Sequence, residues 1–173
     1  MSRPILADAF DHHIWASVRV IDACISLPSD QLQTTVPGTF GSILDTVRHL
    51  VGADRSYLAL LSDGALERID DATEAAMGLV ELRAVMVENG PVWTRVMSQS
   101  LDADRVLTRY REDGASSSAP LGIRLAQVIH HGTDHRSQIA TALTTLGVTP
   151  PAMDVWDFAD TDGRLVDVGP PSA

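Results

Sequence analysis

The chain holds 6 histidines, and three of them crowd into the run His130-His131-Gly132-Thr133-Asp134-His135. On a helix, His131 and His135 stand four positions apart, so both imidazoles leave one face, one above the other, and can chelate a single ion. Val128, Gly132, Ile139, Ala142 and Leu146 share that face, which marks it as the side turned toward a core. Upstream, His49 lies on the apolar stripe of another helical segment. A neutral imidazole in an apolar interior needs partners for both ring nitrogens, and a divalent cation serves three such groups at once, each at about 2.0–2.1 Å if it is zinc. The competing reading makes each a hydrogen-bonded packing residue, the commoner fate of a lone core-facing His, and spacing alone leaves both open for the pair. No Glu follows His131, so the zinc-protease motif with its built-in general base is absent.

Other side chains bear on the same question. His13 shares the inward stripe of the first helix and either lines a pocket or packs with its nitrogens hydrogen-bonded; packing is the favoured reading. His12 is expected at the surface, and His130 points about 100° away from His131. Asp45, one turn before His49, and Asp134 could each accept the second ring proton of a ligating His. A solvated helix surface is the plainer reading of both. Arg136 is either a salt-bridge partner or a substrate clamp. Cys24 sits on an apolar stripe with no basic neighbour in sequence, which makes it inert filling rather than a nucleophile.

The elements that must position these groups are helices. The first opens at Ser2 with Pro4 just inside and carries Leu6, Phe10, His13, Ser17, Val20, Ile21, Cys24 and Leu27 at helical spacing, closed by Pro28. After a loop from Ser29 to Phe40, Gly41-Ser42 with Asp45 three residues later gives a capping-box-like start to the second helix. Its stripe runs from Ile43 through His49 and Leu50 to Leu60 and Leu61, with Gly64 as the stop. The third spans Glu74 to Ser100, with Gly90-Pro91 expected to kink or interrupt it. Arg105 to Arg111 alternates as a short strand ending in a turn at Glu112-Asp113-Gly114, and Ser116 to Ser118 reads as a loop that caps the last helix. That helix ends near Leu146-Gly147 before Pro150-Pro151, and the tail from Ala152 packs back before fraying at Gly169-Pro170-Pro171. Four long amphipathic segments imply an all-α four-helix bundle over 1–173, taken as a single domain with 152–173 as its tail. The long first loop permits either a crossover or simple up-and-down topology.

Composition excludes other classes. With 45% hydrophobic and 21% charged residues in 173, the chain has material for a core and is neither disordered nor a disulfide scaffold. All 13 basic residues are Arg against 23 acidic ones, for a net charge of −10, and no Arg run occurs; nucleic acid and anionic membranes are disfavoured as partners. One cysteine, no signal-peptide pattern and no membrane-length apolar stretch point to the cytoplasm.

The sequence resembles the DinB-like (DinB/YfiT) superfamily of four-helix bundle metalloproteins. The resemblance rests on Gly41-Ser42-Ile43 followed by His49-Leu50 and Asp54-Arg55, and above all on the run from Val128 through His130-His131-Gly132-Thr133-Asp134-His135-Arg136-Ser137-Gln138-Ile139. Leu143, Leu146-Gly147, the Pro-Pro-x-x-Asp tail at Pro150 to Asp154 and the aromatic opening helix Phe10 to Ala16 extend it over nearly the whole chain. It implies a bundle with a short strand or hairpin before the last helix, and a divalent metal, zinc or nickel, held by His49, His131 and His135. His130 falls where the family places no ligand; Asp134 and Ser137 stand where many relatives have His and Gly. Three imidazoles leave open positions on an ion, as catalytic sites do. A thiol bound there would ionise near neutral pH; a water bound there would do likewise and attack an ester or amide. Characterised relatives include transferases and isomerases that use mycothiol, bacillithiol or glutathione, so the resemblance implies a low-molecular-weight thiol as co-substrate and a small-molecule electrophile. A hydrolase, or a stress-response module whose metal only stabilises the bundle, are the alternatives. Homodimers are frequent among relatives, and Trp93, Trp156 and Phe158 are read as exposed apolar residues that could serve such a contact.

Overall fold

A computed structural model describes residues 3–62, 64, 66–111 and 113–166. Four long helices form the bundle: α1 (Ala7–Ile25), α2 (Ile43–Leu61), α4 (Leu79–Met97) and α5 (Leu121–Thr145). The short helices α3 (Asp71–Ala76) and α6 (Val155–Thr161) and a two-stranded antiparallel hairpin, β1 (Val106–Tyr110) with β2 (Ser116–Pro120), complete it. α1 packs on α4 and α5, and α2 packs on the same two, so α1 and α2 stand at diagonal corners. The long first loop, which holds a 3-10 turn at Gln31–Gln33, is therefore a diagonal crossing.

Ser42 caps α2 as its sequence predicts: its hydroxyl accepts from Asp45 N–H at 3.1 Å, and Asp45 Oδ2 accepts from Ser42 N–H at 3.4 Å. Gly147, at φ 76°, follows the end of α5 in the left-handed region that glycine tolerates. Other expectations are corrected. The first helix starts at Ala7, past Pro4, and the reading of Ser2 lies outside the described residues, as do Glu112 and Gly169 to Pro171. The third helix breaks at Met77-Gly78, where Met77 is extended and Gly78 N–H donates to Glu81 Oε2 at 2.6 Å, giving α3 and α4. Gly90-Pro91, by contrast, leaves α4 unbroken. Pro91 is exposed and Val87, whose carbonyl loses its donor, is 47% exposed, so the proline falls on the solvent side of the helix rather than in the core. Ser116 to Ser118 is paired strand rather than loop: Tyr110 to Thr108 need a partner, and the short turn through Gly114 at φ 81° supplies it. In the tail, Asp154 caps α6, and Phe158 is buried beside Trp15. Trp93 is wholly buried against Phe10, so neither it nor Phe158 is a surface residue; Trp156 is exposed.

The core is two apolar clusters with a polar layer between them. One gathers Val20, Ile21, Ile43, Val47, Leu82, Met86, Ile139 and Leu143; the other gathers Phe10, Leu58, Trp93, Val96, Leu125 and Val128. Along each long helix a polar side chain separates the two: His13 and Ser17 on α1, Asp54 on α2, Asn89 on α4 and Arg136 on α5, all buried. Burying each large apolar side chain contributes roughly 1.5–3 kcal/mol, so the clusters drive assembly and the polar layer sets its register.

Candidate metal centre

His49 comes from α2, and His131 and His135 from α5, across the seam where the two helices pack. Nε2 of His131 lies 3.0 Å from Nε2 of His49 and 3.1 Å from Nε2 of His135. The three thus form a group of ligand atoms that could hold a metal ion.

Proton placement tests the fit. Gln138 Oε1 accepts Phe40 N–H at 3.1 Å, which identifies that atom as the amide oxygen, and the same atom lies 3.0 Å from His135 Nδ1. Nδ1 therefore carries the His135 proton, and Nε2 presents a lone pair to the cluster. One N–H placed on His131 satisfies at best one of its two neighbours well, and every other arrangement sets lone pair against lone pair. A cation at the common point satisfies all three nitrogens, so the donor set fits a divalent metal. Burial lowers the His49 pKa, with His135 adding to it, and lowers that of His131 to about 4, with His135 and His49 adding to it. Both imidazoles are then neutral at neutral pH, the form that ligates.

The surroundings shape access. Phe40 stacks on the His49 ring at 4.0 Å between centroids and meets His135 edge-on, covering one side of the cluster. On another side opens a cavity of about 260 Å³ lined by His49, His131, Tyr57, Glu74, Arg68 and Arg109, among others. Glu74 lies against α2 at Gly52: a Cβ there would come within 1.8 Å of Glu74 Oε2. Burial, then the nearby Asp71, raise the Glu74 pKa.

The polar layer runs beside the cluster. Asp54, 2% exposed, faces His13 Nε2 at 3.0 Å and accepts from Asn89 Nδ2 at 2.7 Å and Trp93 Nε1 at 3.1 Å. Arg136 Nη1 donates to His13 Nδ1 at 3.0 Å and to Ser17 Oγ at 3.1 Å. Because the guanidinium can only donate, His13 Nδ1 is the acceptor and Nε2–H donates to Asp54: a neutral imidazole joins a buried cation to a buried anion. Burial draws the Arg136 pKa down to about 10, opposed by Asp54, which still leaves it charged at pH 7. His13 approaches so closely that a Cβ on Gly132 would meet its Cε1 at 2.4 Å.

The packing role expected for His13 is thus what the structure has, and Arg136 is a buried partner within the bundle. Asp45 is engaged in the α2 cap and Asp134 is exposed; the ring proton of His135 goes to Gln138 instead. His130, read as pointing away from His131, is exposed. His12, expected at the surface, is half-buried, with Nε2 2.8 Å from Met153 O and its ring against Phe158, because the tail folds over α1. Cys24 is buried, and burial pushes its thiol up to about 12. Sequence reasoning assigned no role to Phe40, Glu74, Gln138, Asn89 or Asp54. Asp54 did carry a signal: it stands seven residues after Val47 and four before Leu58, an acid on an apolar stripe.

The sequence profile of the DinB family matches residues 1–166, and the chain belongs to that family. No curated protein matches the sequence at a significant level. Among the described residues no helix is long and apolar enough to cross a membrane.

Proposed function

We propose that this protein is a metal-dependent S-transferase that joins a low-molecular-weight thiol to a small electrophile in the cytoplasm. The observation that carries the proposal is the His131 contact pair, 3.0 Å to His49 and 3.1 Å to His135, with the His135 proton turned away to Gln138. His49, His131 and His135 would hold zinc or nickel, which when bound supplies positive charge that favours the thiolate over the thiol. Gln138 holds the His135 ring, and Phe40 shields it from water on one side. Glu74, whose carboxyl is more basic than usual and borders the same cavity, takes the thiol proton. The sulfur then forms a bond to the electrophilic carbon while the leaving group departs with its electron pair.

The test is conjugation of monochlorobimane with a panel of small thiols by protein of known metal content. Bimane fluorescence that rises with thiol, disappears on chelation and is absent from His135→Ala, which should also purify without metal, is the expected result. Conjugation indifferent to chelation would overturn the reading, and metal-dependent release of nitrophenol from an ester without thiol would replace it with hydrolysis.

A further inference from the structure

The chain carries a net charge of −10, yet arginines reach the rim of the site. Of the two that line its cavity, Arg68 faces Asp71 at 3.8 Å; away from the cavity, Arg55 donates to Asn89 Oδ1 at 2.8 Å and Arg124 donates to Leu107 O and Ser117 O. Arg109 differs. It makes no side-chain hydrogen bond or ion pair among the described residues, and it is half-buried, whereas Arg95 and Arg105, which share that lack, are exposed. An arginine at a cavity wall without a counter-ion from the protein presents its planar fork of donors to a ligand, and that fork matches a carboxylate.

Its position is fixed. Arg109 is the next-to-last residue of β1, opposite Ser117, and Arg124 of α5 ties both strands through their carbonyls. Leu121 N–H donates to Arg105 O at 2.8 Å and Gly122 N–H to Ala103 O at 2.9 Å, so the hairpin is fastened to the start of the helix that bears His131. Arg109 and His131 line the same cavity, whose volume of about 260 Å³ suits a small molecule that bridges them.

We propose that Arg109 receives the carboxylate of the small thiol whose sulfur lies at the histidine cluster, so that carboxylate-bearing thiols are the preferred substrates. This inference rests on the functional reading above. Its test uses cobalt(II)-loaded protein titrated separately with 3-mercaptopropionate and 2-mercaptoethanol, followed by the sulfur-to-cobalt charge-transfer band. The carboxylate-bearing thiol is expected to bind about tenfold tighter or more. In Arg109→Met that preference should vanish while 2-mercaptoethanol binds as before, which also shows the variant to be folded. Equal affinities in the native protein, or a preference that survives Arg109→Met, would overturn the carboxylate assignment alone. Absence of the band with both thiols would overturn this inference and the S-transferase reading with it.

Discussion

Nδ1–H of His135 donates to Oε1 of Gln138 at 3.0 Å, three residues further along α5, and that oxygen also accepts the backbone N–H of Phe40. One amide oxygen thereby sets the tautomer of a candidate ligand and tethers the aromatic residue that covers it. Replacing Gln138 by Leu should lower metal affinity about 10–100-fold with little change in helicity, measured by competition with a chromophoric chelator. Unchanged affinity would show that the ring needs no such anchor.

Asp54→Ala removes the acceptor shared by His13, Asn89 and Trp93 and leaves Arg136 without its buried counter-charge. A loss of about 3–5 kcal/mol of unfolding free energy is expected in urea. Asp54→Asn, which keeps one acceptor, should lose less. A change under about 1 kcal/mol would mean that water enters and solvates the layer.

Exposed glycines in helices are usually improved by alanine, by about 1 kcal/mol. Gly132→Ala should go the other way, because the new methyl would lie 2.4 Å from His13 Cε1 and 3.0 Å from Arg136 Nη1. Destabilisation of about 1–3 kcal/mol is expected, and thermal melts of the single variant and of Gly132→Ala with His13→Ala would show whether removal of the ring relieves it.

The Cys24 thiol, raised to about 12 by burial, keeps its proton in the folded state at pH values where an unfolded chain, with a thiol pKa of about 8.5, gives it up. The sign follows: this thiol withdraws stability as pH rises from about 8.5 toward 12 and has no effect below. Urea melts between pH 8 and 10 should show a steeper decline for the native protein than for Cys24→Ala. Labelling by a disulfide reagent at pH 8 should proceed at the rate of unfolding, and rapid native-state labelling would contradict the burial.

Much of this architecture was legible in residue spacing. The helical stripes place the long helices because apolar residues at that period have one place to go, and the i, i+4 histidines share a face for the same geometric reason. The break at Met77-Gly78 was not legible, since it depends on Glu81 reaching back to Gly78 N–H while Pro91, a stronger breaker by type, happens to face water. Side chains joined across the bundle were the least visible. Asp54 and Asn89 are separated by many residues along the chain, and only packing α2 on α4 makes them partners. Gln138 matched a family motif, but its role depends on Phe40, a loop residue nearly a hundred positions away.

With α1 and α2 on opposite corners, α5 is gripped from two flanks: His13 holds it through Arg136, and His49 meets it at His131. The azimuth of one rod is thus set by the first grip and read out by the second. A twist of α5 by a single residue would carry Arg136 out of the interior and scatter the imidazoles in the same motion. Substitutions in the hidden ionic stratum should therefore be felt as blurred ligand geometry before they are felt as lost structure.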